Sequence, residues 1–186
     1  MKVSREQYEA NQQRILEAAG RLFREHGYDA VTLAEVMQAA SLTHGGFYGH
    51  FKSKDDLIAQ ALAYRNSKPK AEIGPAEFAE SYLSARHRAD LAGGCNIAGL
   101  ATETTRQPLP ARAAMTETIR SRIEGLARNS AGANPAEKRR VAIASWSAMV
   151  GAMIMARVCD DPALSDEIMH ETRAQIAALA ELQGGN

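Results

Sequence analysis

The chain has 186 residues, with 22 Lys and Arg against 22 Asp and Glu, 45% apolar residues and 5% aromatics. That apolar share supports a packed core and excludes a disordered chain. The zero formal charge carries no global sign of a nucleic-acid partner, so such a partner has to be argued from local residues. Residues 1–14, MKVSREQYEANQQR, hold no apolar stretch, and no secretion signal is expected there. Ser4 and Gln7 have capping-box spacing, and Ile15, Ala19, Leu22 and Phe23 then fall on one helical face. Gly27 is placed to end that helix as a left-handed cap. Thr32 and Glu35 form a second capping box before Leu33, Val36, Met37 and Ala40. The turn Ser41-Leu42-Thr43 ends this short helix, and Thr43 is expected to cap a third one over His44 to His50. Ser53 and Asp56 open a fourth helix with Leu57, Ile58, Ala61 and Leu62 inward.

Beyond residue 66, Ser67, Pro69, Gly74 and Pro75 break the chain. Pro75 suits the first turn of a helix expected to run to about Asp90. Further helices are expected from Asn96 to Arg106 and from about Ala111 to Arg128. Asn134, Pro135 and Glu137 open a long Ala-rich helix to about Cys159, and a last helix runs from about Ala163 to Leu182. No segment alternates with period two, and no repeat is visible. The expected fold is all-α with about nine helices, in keeping with an Ala-rich, aromatic-poor composition. Val141 to Ala156 carries no charge, but it is shorter than the roughly 20 residues a membrane span needs and reads as a buried helix.

Two short helices joined by a tight turn within residues 32–51 form a helix-turn-helix arrangement. The major groove admits one helix, and a helix N-terminus offers free N–H groups to phosphate. Between Ser41 and Lys54 there is no acidic residue, while Thr43, His44, Tyr48, His50, Lys52 and Lys54 supply hydroxyls, rings and amines of the kinds that contact phosphate. Two glycines, Gly45 and Gly46, in so short a helix cost roughly 1 kcal/mol each and point to close backbone approach to a partner. Phe47 and Phe51 read as core.

Arg14-Ile15-Leu16-Glu17-Ala18-Ala19, Phe23, His26-Gly27-Tyr28, Thr32 and the run from Leu42 to Lys54 (LTHGGFYGHFKSK) resemble the TetR family of bacterial transcription regulators over about residues 11–62. The resemblance implies a homodimeric repressor with a DNA-binding domain at 1–62 and an effector-binding and dimerisation domain at 63–186. It implies DNA contacts at Thr32, Thr43, His44, Gly45, Gly46, Tyr48, His50 and Lys54, with Tyr48 and Lys54 on phosphates. Gly46 departs from the family's commoner Thr or Ser, and His44 from its commoner Lys. Those departures remove a hydroxyl and a permanent charge from the base-reading surface. The expected function is a ligand-responsive repressor that binds a near-palindromic double-stranded operator and is released by a small molecule.

In the C-terminal part, Val141 to Cys159 is apolar nearly all round, and its small residues Ala144, Ala148, Gly151 and Ala152 permit close packing. With Ile168, Met169, Ile176, Leu179 and Leu182 of the last helix it is expected to form the dimer interface. Phe78, Tyr82, Trp146, Met149 and Met153 are the candidate effector pocket, since large flexible apolar side chains line pockets well. Cys95 follows Gly93-Gly94 at a helix start, where N–H groups stabilise a thiolate. The alternative function is therefore a redox- or electrophile-sensing regulator acting through Cys95. The only other cysteine is Cys159, so no disulfide framework is expected, and a cytoplasmic location fits. His26, His44, His50, His87 and His170 show no i, i+4 pairing, and no metal site is expected. No paired acid and base is evident around Glu103 or Asp160-Asp161, so neither catalysis nor a cofactor is expected.

Overall fold

Ser4 begins α1 (Arg5–His26), its side-chain oxygen accepting the Gln7 N–H. The computed structural model describes residues 4–67 and 72–184, with side chains described as far as residue 180. Pro69 and the Leu182 side chain, both used above, lie outside the described residues. Gln7 does not complete a capping box, because its amide donates to Asn11 at 2.9 Å. α2 (Leu33–Ala39) has the full box: Thr32 Oγ1 accepts the Glu35 N–H, and the Glu35 carboxylate accepts the Thr32 N–H. The turn after it passes through Ser41 with φ 55°, a left-handed conformation that non-glycine residues seldom adopt.

The expected third α-helix is a 3-10 helix, His44–Gly49. Thr43 stands at its N-cap but makes no side-chain cap bond, contrary to expectation. Instead its carbonyl accepts the Gly46 N–H at 3.0 Å, the i to i+3 bond of the tighter helix. Three glycines in six residues leave little intrinsic drive toward a regular α-helix. α3 (Lys54–Ser67) starts with Ser53 accepting the Asp56 N–H, while the Asp56 carboxylate reaches one residue further back to the Lys52 N–H.

The expected helix from Pro75 to Asp90 is two helices, α4 (Pro75–Tyr82) and α5 (Ala85–Ala89). Ser84 caps α5 by accepting the His87 N–H, a local bond that competes with continuing the helix. Leu83 between them is fully buried, and its carbonyl accepts from the Arg173 guanidinium. α6 (Asn96–Thr104), α7 (Leu109–Arg128), α8 (Pro135–Val158) and α9 (Pro162–Gly184) follow. Among the described residues there are thus nine α-helices and one 3-10 helix, with no strand.

Packing divides the chain into two compact units, residues 1–68 with 99–118, and residues 69–98 with 119–186. In the first, α1 packs on α2 and α3 around Ile15, Phe23, Val36, Phe47, Phe51 and Leu57, all essentially inaccessible. In the second, α8 packs on α9, and α4 on both, around Trp146, Met149, Met153 and Ile176. α8 is long and apolar enough to cross a membrane by length and composition alone. Within the chain only one side of it is buried, along Ala142, Ser145, Met149, Ala152 and Ala156. The helix is apolar nearly all round, yet within the single chain Ile143, Ile154, Met155 and Val158 are exposed.

Candidate nucleic-acid interface

The 3-10 helix is held from below by its own aromatics. Phe47 is fully buried and packs on Phe51, with ring centroids 5.6 Å apart. That burial turns the opposite side of the turn outward. Thr43, His44, Gly45, Gly46 and Lys52 are exposed, Lys54 is half-buried, and Tyr48 is 69% exposed. The Tyr48 ring meets Phe47 edge-on, centroids 5.2 Å apart, while most of its surface and its hydroxyl are open to an outside partner. The glycines face open space. A Cβ at Gly45 or Gly49 would meet nothing within 4 Å, and one at Gly46 would make only an ordinary contact of 3.7 Å with Met37. The chain's own packing therefore does not require glycine at these positions. Their effect is to leave bare backbone that a partner can approach closely.

His50 and Thr32 stand differently. The His50 ring stacks on Tyr8 of α1, centroids 4.3 Å apart, and its Nδ1 is buried without a hydrogen-bond partner. Burial holds the imidazole pKa below its usual value. His50 is thus partly a packing residue, joining the turn to α1. The Tyr8 hydroxyl reinforces that joint by donating to the Gly49 carbonyl at 3.2 Å. Tyr8 was not singled out from the sequence, although it lies seven residues before Ile15, on the same helical stripe. The Thr32 hydroxyl already donates to Glu35 at 2.8 Å, and a phosphate contact there has to compete with that bond.

Of the carboxylates that flank the acid-free window, Glu35 and Asp56 are turned onto the chain, while Asp55 beside Lys54 is exposed. Glu35 is held below the usual carboxylate range first by the Thr32 N–H and then by the Thr32 hydroxyl. Asp56 is lowered by the Lys52 N–H and by the Gln60 amide, each 2.9 Å away. These bonds fix the backbone on either side of the turn.

In the second unit, Phe78, Tyr82 and Trp146 form one aromatic cluster, with centroid distances of 5.1–5.7 Å. The Arg122 guanidinium lies 4.5 Å over the Phe78 ring. Met149 and Met153 are fully buried on α8, and Phe78 is half-buried beneath the guanidinium in a cation–π contact. Cys95 is half-buried just before α6, its N–H donating to His87 Nε2 at 3.2 Å. His87 Nδ1 faces the Tyr82 carbonyl at 2.6 Å, which assigns the ring proton to Nδ1. The Tyr82 hydroxyl is buried beside the Cys95 thiol without a well-formed hydrogen bond, and burial raises its pKa far above the usual range. Among the described residues, no group of three or more His, Cys, Asp or Glu side chains could hold a metal ion.

The family model described as bacterial regulatory proteins, tetR family, matches residues 15–61. The HTH-type transcriptional repressor Rv1474c of Mycobacterium tuberculosis is 36% identical over 76 residues, 41% of this chain and 40% of that protein. The uncharacterized HTH-type transcriptional regulator Rv0196 of the same organism is 27% identical over an alignment that covers 91% of this chain and 95% of that one. The crystal structure of a TetR-family regulator from Cytophaga hutchinsonii matches with a TM-score of 0.71 at 19% identity, covering 97% of this chain and 98% of that one. A likeness at that identity is one of fold. The chain spans less than half the length of several curated relatives that it matches, 40%, 26% and 30% of three of them.

Proposed function

Because this chain belongs to the TetR family of bacterial regulatory proteins, we propose that it is a cytoplasmic transcription repressor that binds a near-palindromic DNA operator as a homodimer and is released by a small-molecule effector. The observation that carries the reading is the surface of residues 43–54. It is free of acids, carries an exposed tyrosine, two histidines and two lysines, and exposes bare glycine backbone between them. In this reading Tyr48, Lys52 and Lys54 contact phosphates, and Thr43, His44, Gly45 and Gly46 approach base edges. His50 orients the turn against Tyr8, and Thr32 caps α2. The DNA-binding function is assigned to residues 1–62, and effector binding and dimerisation to 63–186.

Dimerisation is supported by the exposed face of α8. Ile143, Ile154, Met155 and Val158 lie along it with the exposed small residues Ala144 and Ala148, and Leu164 of α9 is exposed as well. A Cβ at Gly151 would meet nothing within 4 Å, so the helix can be approached closely there. An apolar stripe on two long helices is what a second copy would cover. The decisive experiment is a gel shift of the full chain on DNA flanking its own gene. A retarded band competed by the same DNA and not by unrelated duplex is expected, and no sequence preference at any salt concentration would reject the reading.

A second reading has one supporting observation. Cys95 stands immediately before the first residue of α6, with the N–H groups of that helix's first turn ahead of it. In this reading alkylation or oxidation of the thiol triggers release. Iodoacetamide should then label Cys95 faster than a cysteine peptide at pH 7 and release operator DNA in step. A Cys95→Ser chain that responds normally to every inducer would return the residue to packing.

A further inference from the structure

The second unit contains a cleft of about 210 Å³ bounded by the start of α4, the segment after α7, the first half of α8 and the last part of α9. Its walls are mostly apolar, with Val141, Ile176 and Ala180 facing the start of α4. At its α8 wall stands Ser145, only 2% exposed, whose hydroxyl has no hydrogen-bond partner. A helical hydroxyl ordinarily donates its proton to a carbonyl one turn back, as Thr104 of α6 does to Leu100 at 2.8 Å. A buried hydroxyl left unpaired is costly, and a group that accepts its proton removes the cost. The α4 end of the cleft adds further donors. Gly74 at the N-cap carries no side-chain oxygen, so the N–H groups of Ala76 and Glu77 meet no cap there.

We propose that this cleft binds a small, neutral, largely apolar molecule with one hydrogen-bond-accepting oxygen, such as a ketone, ester or phenol. The volume, equal to roughly seven waters at about 30 Å³ each, admits a single ring with a short head group. Ser145 and the first-turn N–H groups of α4 are donors, which selects an acceptor. Among the described residues of the lining Glu77 is the one charged group, and its carboxylate disfavours an anion despite the helix N-terminus. The site is distinct from the cluster of Phe78, Tyr82, Trp146, Met149 and Met153. It names the effector class of the repressor reading and rests on that reading for its regulatory consequence, while occupancy of the cleft can be measured without DNA.

The test uses the full-length chain with three probes that share a ring, namely acetophenone, toluene and benzoate, followed by methyl NMR and titration calorimetry. Acetophenone should shift the methyls of Val141, Ile176 and Ala180 and bind about fivefold more tightly than toluene, the worth of one net hydrogen bond. Benzoate should bind most weakly. Ser145→Ala should erase the preference of acetophenone over toluene while unfolding at the same or higher denaturant concentration, because an unpaired hydroxyl has been removed. Val141→Phe should fill the cleft and abolish binding of both. Equal affinity for the three probes, shifts centred on other methyls, or an acetophenone preference that survives Ser145→Ala would overturn the proposal. Methyl shifts that follow chain concentration rather than probe would overturn it too, and would give this face to a second copy. Operator DNA is added last. Occupancy with unchanged operator affinity overturns the effector role and leaves the site, whereas a chain without operator binding overturns the repressor reading itself.

Discussion

Gly27 closes α1 with φ 83° and ψ 168°, a region that residues carrying a Cβ scarcely enter. Its second constraint comes from 76 residues away, because a Cβ there would stand 2.7 Å from the Glu103 Oε1. Glu103 is held in place by accepting the Tyr28 N–H at 2.7 Å, and beside it Tyr28 Oη and Thr104 Oγ1 share a buried hydrogen bond of 2.9 Å. Gly27→Ala should therefore cost about 2–3 kcal/mol in urea unfolding. Pairing it with Glu103→Ala should cost less than the sum of the two changes, since the clash disappears and the backbone strain remains. His50 gives a pH prediction. Its folded pKa lies below the usual 6.5 because burial disfavours the charged ring. Its contribution to stability is then present above pH 6.5 and is lost as pH falls from there toward the folded value. His50→Phe keeps the stack on Tyr8 and should flatten that acid-side loss when urea midpoints are compared between pH 7.5 and pH 5.

At the scale of elements, α8 presents two different faces. Met149 and Met153 on one face are fully buried within the chain, while Ala148 on the other is exposed. A charge at Ala148 therefore leaves the single-chain core intact and acts only where a second chain covers the stripe. Ala148→Glu should retain the helical spectrum of the wild type and give a monomer by light scattering at micromolar concentration, because the interface would bury an unpaired carboxylate. A dimer of undiminished stability would remove α8 from the interface. The same element carries the Ser145 cleft in its N-terminal half, so the proposed ligand site and the exposed face lie on one continuous helix.

At the scale of the whole molecule, neutrality sets the terms of DNA binding. With 22 positive and 22 negative side chains there is no long-range attraction to add to local contacts. Affinity should rest on the few groups of residues 43–54, and on two copies of them at half-sites about 34–36 Å apart. Lys54→Ala should weaken binding about equally on specific and unrelated duplex and reduce the slope of log affinity against log salt by about one per subunit. His44→Ala should instead change which sequence is preferred. Anisotropy titrations on operator and scrambled duplex at several salt concentrations separate the two effects. An unchanged salt slope for Lys54→Ala would remove that lysine from the phosphate contacts.

Most of the helical elements, the cap at Thr32 and Glu35, the acid-free window and the long apolar helix were legible in the residues alone. Those features are local: capping depends on residues three apart, and amphipathic periodicity on one turn. The family resemblance was legible for the same reason, since its residues lie in one contiguous stretch. The break at Leu83 and Ser84 needed packing as well, since a buried leucine and the Arg173 guanidinium of α9 add to the local Ser84 cap. Only the tertiary structure decided that His50 packs on Tyr8, that Glu103 forbids a side chain at Gly27, and that Ser145 is left unpaired beside a cleft. Each of these pairs groups far apart in sequence or depends on the shape of the space between helices. Propensity and spacing carry no information about partners that only packing brings within hydrogen-bond reach.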